Sequence, residues 1–369
     1  MINRPGYKAL HLKIKERMVQ VASLFNVVTT LLAMSTTEDR RPKSSTSKSY
    51  GQLLNWLDTS FPNSYVNPSV KISPSEMGGH GVFAIDDIEE GSMLFSIPRE
   101  ACITSSVVLD NDETGKAFQT LMKKAGPGSF TVALAGFLVK EYLCYIEGED
   151  VLFGPYLETL PWKRDINGQE HVLFWTEDEV QEYLKDSLCY SESTDLRNEV
   201  KFAKKILNAL IGPSILKARG ELEEEKPLIP FLEWTKPPAP AVQEPVPGLG
   251  KAVTGAFVIL LTRAFDDDFD KEVEGEDAER LIPVLDMLNH NNEPSVTYKT
   301  NEEGTVEVKA RRNIKSGEEV YNRYREEEEM NMPYHRFFSR FGFIPGITED
   351  SKLLLKDKSS IFFARRKEV

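Results

Sequence analysis

Hydrophobic positions along the chain follow two different patterns. Runs of β-prone residues stand near the start and the end of the chain, at 70–72, 82–84, 93–97 and 310–321. Between them, apolar residues recur at the three- and four-residue steps of helices over 130–146, 176–184, 195–216 and 253–265. A short helix is also predicted at 50–61. The order predicts an α+β protein whose β-rich part is interrupted by a mainly helical insertion.

A short internal repeat links the two β-prone regions. The spacing Ala-x3-Ile-x2-Gly-x2, followed by an apolar and an aromatic residue, occurs at 84–95 and again at 310–321. In each copy a glycine stands between β-prone runs, as in a strand-turn-strand unit. The repeat predicts two similar β-units at opposite ends of one domain.

These patterns predict five segments along the chain. They are a basic N-terminal extension (1–50), the first part of a β-rich core (51–109), a helical insertion with a Pro-rich loop at 227–250 (110–255), the second part of the core (256–345) and a short tail (346–369). The Pro-rich loop is expected to break regular structure.

The first fifty residues differ from the rest in charge. They carry nine Lys/Arg and three Asp/Glu, a net of +6, so a chain of net charge −13 has −19 on the remainder. A basic, amphipathic start with Ser and Thr at 44–49 is typical of an organelle transit peptide, and the alternative is a dispensable extension upstream of Met34. The protein is expected in the cytoplasm or nucleus, or in a chloroplast or mitochondrion if this segment is a transit peptide. Residues 19–34 are too few and too polar to span a bilayer, so no membrane association is expected.

The excess of negative charge argues against direct nucleic-acid binding, which needs clustered Lys and Arg. Nine acidic residues lie between Asp266 and Glu279, and four more stand at 326–329. Such runs are either solvated loops or an acidic rim that attracts a Lys-rich protein segment.

Cysteine and histidine usage limits the chemistry. Cys102, Cys144 and Cys189 are widely spaced without a CxxC pair, and the five histidines are scattered. Neither a disulfide framework nor a metal site is therefore expected, and a reducing compartment fits the chain. The sequence also contains no GxxxxGK[ST], HExxH or GxSxG pattern.

Three segments remain as candidates for chemistry. The Gly-His-Gly at 79–81 is followed by β-structure where a dinucleotide fingerprint needs a helix, so alone it predicts a tight turn. The apolar run at 281–290 ends in Asn-His, which is either a helix end or a place for the polar edge of a nucleoside. Aromatic residues gather at 317–324 and 341–343, where they form either core or a narrow apolar channel.

In this order, these segments resemble the SET-domain protein methyltransferases, and within them the Rubisco large-subunit methyltransferase group, whose SET core carries a helical insertion. The resemblance extends to Gly-Pro-Tyr-Leu-Glu-Thr-Leu-Pro at 154–161, Leu-Phe-Trp-Thr-Glu-Asp-Glu at 173–179 and Thr-Arg-Ala-Phe at 262–265. It implies a SET fold of short sheets, S-adenosyl-L-methionine as cofactor and a protein substrate with a target lysine.

The resemblance also implies a role for each matching residue, without a metal. The residues expected at the cofactor are Gly79, His80, Gly81, Arg263, Asn289, His290, Tyr324 and Phe343. Among them, Arg263 would pair with the methionine carboxylate and Tyr324 would be the catalytic tyrosine beside the transferred methyl group. Asn289 and His290 would hold the adenine end, against which Phe343 would pack. Asp286 and Phe341 would border the channel for the target side chain.

The sequence departs from the family pattern near its end. Arg325 stands where glycine is common, the acidic run at 326–329 is an insertion, and Phe341 replaces a common tyrosine. Because 24 residues follow Pro345, the C-terminal helical substrate-binding domain of the family is expected to be missing or shortened.

Three functions are compatible with the resemblance. The first is a protein-lysine N-methyltransferase acting on a histone or non-histone protein. The others are a protein-histidine N-methyltransferase and a catalytically inactive SET-like module that binds a partner. A monomer is expected.

Overall fold

The computed structural model describes residues 46–126, 129–165, 168–221, 246–267, 279–324 and 333–344. Several sequence predictions lie outside these residues. They are the apolar pattern of the N-terminal extension, most of the Pro-rich loop, most of the acidic run after Asp266, the insertion at 326–329 and the tail.

Short strands build the β-rich part of the protein. Their bounds are β1 Tyr65–Val66, β2 Val70–Pro74, β3 His80–Ala84, β4 Met93–Ile97, β5 Phe265–Asp266, β6 Glu279–Arg280, β7 Asn289–His290, β8 Val296–Thr300, β9 Val306–Ala310 and β10 Glu319–Asn322. One sheet has the order β1-β4-β9-β8, a second has the order β2-β3-β10-β7, and β5 pairs with β6. Neighbouring strands are antiparallel except β10 and β7, which are parallel.

The two copies of the internal repeat pair with each other. The amide of Ile88 donates to the carbonyl of Ile314 (2.8 Å), and the amide of Ile314 donates to the carbonyl of Ile88 (2.9 Å). The turn glycines Gly91 and Gly317 both have left-handed φ angles, +82° and +85°, which glycine adopts without steric cost. The predicted strand-turn-strand units are confirmed, and they are neighbours in space.

Helices fill the chain between β4 and β5 and flank the β-rich part. Their bounds are α1 Thr46–Ser60, α2 Ser105–Leu109, α3 Gly115–Ala125, α4 Phe130–Ile146, α5 Gly154–Leu157, α6 Glu177–Leu184, α7 Leu188–Ala218, α8 Leu249–Arg263 and α9 Tyr334–Phe341. Short 3₁₀ turns at Val172–Phe174 and Leu285–Met287 also matter for the site. The predicted α+β fold with a helical insertion is confirmed.

Most helix bounds agree with the sequence pattern. The helix predicted at 130–146 is α4, and the helix predicted at 176–184 is α6, which begins with a capping box in which the Thr176 side chain accepts from the Glu179 amide (3.2 Å). The helix predicted at 195–216 is longer, because α7 extends from Leu188 to Ala218. The helix predicted at 253–265 ends at Arg263, because Phe265 pairs with Arg280 in β5 and β6.

One hydrophobic core joins the strands to the insertion. It contains Leu134 and Leu138 from α4, Leu207 from α7, and Val253 and Ala256 from α8, all of them buried. A smaller cluster holds α9 against the insertion; its buried members are Val172, Trp175, Val180, Leu184, Cys189 and Phe338.

The three cysteines are free thiols in buried positions. Burial raises the pKa of Cys102 and of Cys144 to about 12. The described part of the chain holds no cluster of His, Cys, Asp and Glu suited to a metal ion. Within the same residues, no helix combines the length and the apolar character needed to cross a membrane.

Candidate functional site

The Gly-rich segment forms a turn between β2 and β3. The amide of Ser75 donates to the carbonyl of Gly79, and the amide of Gly78 donates to the carbonyl of Ser75, both at 3.1 Å. Gly78 and Gly79 have φ angles of +97° and +66°, a region that side chains disfavour. The turn therefore needs these glycines, and it leads directly into His80 and Gly81 at the start of β3.

A buried carboxylate lies behind this turn. Glu319, on β10, accepts hydrogen bonds from Ser75 Oγ (2.9 Å), Asn289 Nδ2 (2.7 Å) and the Tyr321 hydroxyl (3.0 Å). The bond from Nδ2 fixes the orientation of the Asn289 amide, since that nitrogen is its donor. Glu319 thus positions Asn289, a role that the sequence did not reveal.

Glu319 also explains why residue 81 is glycine. A Cβ at Gly81 would overlap Glu319 Oε1 and lie 2.9 Å from Asn289 Nδ2. Gly81→Ala is therefore expected to lower the free energy of unfolding by about 1–3 kcal/mol through overpacking. Urea unfolding measures this loss.

Gly51→Ala is the matched control, because Gly51 lies in α1 with nothing within 4 Å of an added Cβ. Its free energy of unfolding is expected to rise by about 0.5–1 kcal/mol, the helix preference for alanine. Equal effects of the two substitutions would contradict the proposed overlap at Gly81.

The parallel pair β7–β10 brings the Asn-His segment to Tyr324. The register places Asn289 opposite Tyr321 and His290 opposite Asn322. The amide of Tyr324 donates to His290 Nδ1 (3.1 Å), and its hydroxyl donates to the carbonyl of Leu288 (3.0 Å). The segment after the apolar run is therefore a strand, where the sequence allowed a helix end.

Burial raises the pKa of Tyr324 to about 12, although the charge of Arg263 opposes the shift. Its hydroxyl therefore keeps its proton at neutral pH.

Aromatic side chains surround this point. The His290 ring lies 5.2 Å from Tyr324, 5.7 Å from Phe337 and 6.4 Å from Phe343, measured between ring centroids. Phe341 lies 5.3 Å from Tyr324 and 4.6 Å from Phe337. We call these five residues the aromatic cluster. Four of them were predicted site residues, whereas Phe337 was missed, although it stands four residues before Phe341 on the same helix face.

A buried ion pair lies on the 3₁₀ turn before β7. Arg263 Nη1 donates to the main-chain oxygen of Asp286 (2.6 Å) and lies 3.4 Å from its Oδ2. The Tyr156 hydroxyl donates to the same Oδ2 (2.9 Å). The Asp286 side chain is fully buried, whereas that of Arg263 remains 21% exposed. The pair joins the end of α8 to the turn, and Tyr156 anchors it from the insertion.

The backbone at this turn is strained. Val284, which precedes the turn, has a φ of +70°, and a β-branched residue rarely adopts a positive φ. Such strain persists where surrounding contacts over-determine it, and it concentrates at functional sites. The contacts of Asp286 with Arg263 and Tyr156 supply that constraint.

Tyr50 lies beside the glycine turn, a position that the sequence did not reveal. Its ring lies 4.6 Å from the His80 ring. Burial raises the pKa of Tyr50, and the charges of Arg263 and Asp286 act on the same group. The sequence predicted a helix beginning at residue 50, but nothing in it placed α1 beside the glycine turn.

Residues 79–325 match the sequence profile of the SET domain. The chain belongs to the SET domain family.

Among SET-domain relatives with curated names is the N-lysine methyltransferase setd6 of Salmo salar, which is 28% identical over 297 residues. The N-lysine methyltransferase setd6 of Danio rerio is 28% identical over 302 residues. Each alignment covers 78% of this chain and 57% of the relative. The chain therefore spans less than two thirds of the length of these relatives.

Solved SET-domain structures show the same fold. The SET domain of LSMT bound to lysine and AdoHcy has a TM-score of 0.58 at 20% identity, covering 83% of this chain and 59% of that chain. Rubisco LSMT bound to sinefungin and monomethyllysine has a TM-score of 0.56 at 20% identity, covering 81% and 57%. The SET match begins at Gly79, the last residue of the glycine turn, and includes Tyr324, whereas Tyr50, Phe341 and Phe343 lie outside it.

Proposed function

We propose that this SET domain protein transfers a methyl group from S-adenosyl-L-methionine to a lysine side chain of a protein substrate. One observation carries the proposal: the pairing of β7 with β10 gathers the glycine turn, Asn289, His290 and Tyr324 beside the aromatic rings of α9. The names of the setd6 relatives, and the lysine and AdoHcy bound to the LSMT SET domain, support it.

The donor set fits the proposed cofactor. Both contacts of Arg263 with Asp286 use Nη1, and a guanidinium has further N–H donors for a methionine carboxylate. His290 and Phe343 offer ring faces for an adenine, and Asn289 offers an amide whose orientation Glu319 fixes. Gly79, His80 and Gly81 would line the cofactor with main-chain atoms.

The ion pair would act at the edge of this site. The Asp286 carboxylate is fully buried, so it would not line the target channel directly. It would act at the border of the channel by holding the side chain of Arg263. Its Oδ1 has no hydrogen-bond partner among the described residues, which adds an acceptor at the same edge.

The bound cofactor would supply an electrophilic methyl group on a sulfonium. The target lysine must be a neutral amine, whereas its ordinary pKa is about 10.4. An apolar channel bordered by Tyr324 and Phe341 would disfavour the ammonium form and lower that pKa. Tyr324 would then hold the amine through the lone pairs of its hydroxyl, since its own proton goes to Leu288 O. Alignment of the reacting atoms at roughly 3 Å would supply much of the rate.

Calorimetric titration of the full chain with S-adenosyl-L-homocysteine tests the first half of the proposal. Binding is expected well below about 1 mM, the upper range of ordinary substrate constants. An absence of binding at that concentration would contradict both the cofactor and the proposed reaction.

Transfer is tested with methyl-labelled S-adenosyl-L-methionine and a cell lysate, followed by mass spectrometry of the labelled peptides. The proposal expects the label on lysine. A label on histidine would instead show that the protein methylates a protein histidine. Cofactor binding without any label would favour a SET-like interaction module.

A further inference from the structure

His171 belongs to the helical insertion but bonds to the end of α9. Its side chain is completely buried. Its Nε2 lies 2.9 Å from the carbonyl oxygen of Ser339 and 3.2 Å from that of Arg340, in the last turn of α9. Carbonyls in the last turn of a helix lack partners within the helix, and a histidine side chain can satisfy them. His171 therefore caps the helix that carries two rings of the aromatic cluster.

The hydrogen bonds assign one tautomer to this histidine. The amide of Leu173 donates to Nδ1 (3.2 Å), so Nδ1 carries no proton. The proton then belongs to Nε2, which donates to the two carbonyls of α9. Burial lowers the pKa of His171 to about 4, so this neutral donor persists at neutral pH.

The chain passes close to His171 as it leaves α9. Gly342 has a φ of +82°, and a Cβ there would lie 3.0 Å from the Cα of His171. Gly342 separates Phe341 from Phe343, so loosening of this last turn displaces both rings together. The capping bonds hold Ser339 and Arg340 and the close approach restrains Gly342, so His171 constrains the end of α9 at adjoining points.

The segment that carries His171 is itself held firmly. Arg197 Nη1, on α7, donates to the carbonyls of Val172 (3.0 Å) and Trp175 (2.7 Å). Trp175 Nε1 donates to the carbonyl of Glu170 (3.0 Å), and its ring lies 5.9 Å from Phe338 on α9. The insertion therefore presents His171 to α9 from a rigid support.

We propose that His171 is a positioning residue of the candidate site: by capping α9 it fixes Phe341 and Phe343 against His290 and Tyr324. The capping stands on the contacts described above. Its consequence for catalysis rests on the proposed function.

Hydrogen exchange of full-length variants tests the capping without any ligand. His171→Phe keeps a ring in the cavity but removes the donor and the acceptor, and amides at 337–344 are expected to exchange about tenfold faster. His171→Gln retains an amide donor and is expected to recover part of the protection. Val139→Ala is the matched control, because Val139 is fully buried on α4 and belongs to the main hydrophobic core, outside the cluster that holds α9.

The control separates positioning from general loss of stability. Val139→Ala is expected to lower the Tm while leaving exchange at 337–344 within about twofold of the parent. Unchanged exchange in His171→Phe would overturn the proposal. So would equally fast exchange in Val139→Ala at a matched fall in Tm.

Titration with S-adenosyl-L-homocysteine then tests the consequence for the site. His171→Phe is expected to weaken binding about tenfold, with His171→Gln intermediate and Val139→Ala within about threefold of the parent. Full affinity in a His171→Phe protein with a loosened α9 would overturn the link between the cap and the site. If the parent itself does not bind S-adenosyl-L-homocysteine, the proposed function fails. The hydrogen-exchange data still show whether His171 caps α9.

Discussion

Arg263→Met is expected to lower the free energy of unfolding by about 3–5 kcal/mol, the usual cost of breaking a buried ion pair from one side. The Asp286 side chain is fully buried and lies 3.4 Å from the guanidinium of Arg263. Removal of the guanidinium leaves this buried charge without its counter-charge. Urea unfolding at neutral pH measures the loss.

The loss is expected to depend on pH in a defined direction. Burial raises the pKa of Asp286, and Arg263 opposes that shift, so its removal raises this pKa further. A carboxyl with a higher pKa in the folded state stabilises that state at low pH and loses the contribution as the pH rises. The difference in the free energy of unfolding between variant and parent is therefore expected to be smallest below about pH 4 and to increase toward neutral pH. A difference that does not change with pH would contradict this account.

The double variant Arg263→Met, Asp286→Asn separates stability from binding. Removing both charges is expected to recover most of the stability, since no uncompensated charge remains in the interior. Affinity for S-adenosyl-L-homocysteine is expected to stay at least tenfold weakened, because the proposed partner of the methionine carboxylate is still absent. A stable double variant with full affinity would remove Arg263 from the cofactor site.

Tyr324→Phe is expected to lower kcat by about 10²-fold, the usual effect of removing one preorganised polar group from an active site. The change deletes the hydroxyl that donates to the carbonyl of Leu288 (3.0 Å) and leaves the ring in the aromatic cluster. Affinity for S-adenosyl-L-homocysteine is therefore expected to change little. Single-turnover rates and calorimetry on the same preparation measure the two quantities.

Tyr65→Phe is the matched control for the loss of a tyrosine hydroxyl, because Tyr65 is exposed on β1. It is expected to behave as the parent in both measurements. If Tyr324→Phe turns over at the rate of this control, Tyr324 has no catalytic role. Equal losses of affinity and rate would instead assign it to cofactor binding.

Local patterns in the sequence predicted most of the secondary structure. The three- and four-residue steps of α4 and the Thr176–Glu179 capping box depend on neighbours within one turn of helix, so the sequence carries them completely. The two turn units around Gly91 and Gly317 were visible as a repeat, because the left-handed backbone at each turn favours glycine. Their pairing through Ile88 and Ile314 was not visible, since it joins distant parts of the chain.

The polar contacts of the site show why the rest escaped prediction. Tyr156 and Asp286 are 130 positions apart, and Asn289 and Glu319 are 30 positions apart. Family resemblance named Asp286 and Asn289 and matched the segment that contains Tyr156, but no pattern in the sequence paired Tyr156 with Asp286 or Glu319 with Asn289. The strained φ of Val284 likewise has no local cause, because the valine is held there by contacts made around it.

The closure of the second sheet bears on how the chain folds. Ser75 and Glu319, which bond across it, are 244 positions apart, and the helical insertion lies between them. Helices form from local contacts, whereas contacts between distant residues must first offset the entropy of closing a long loop. We therefore expect the insertion to fold early and the two strand regions to join late, so that the cluster around Glu319 is the last part of the molecule to become ordered.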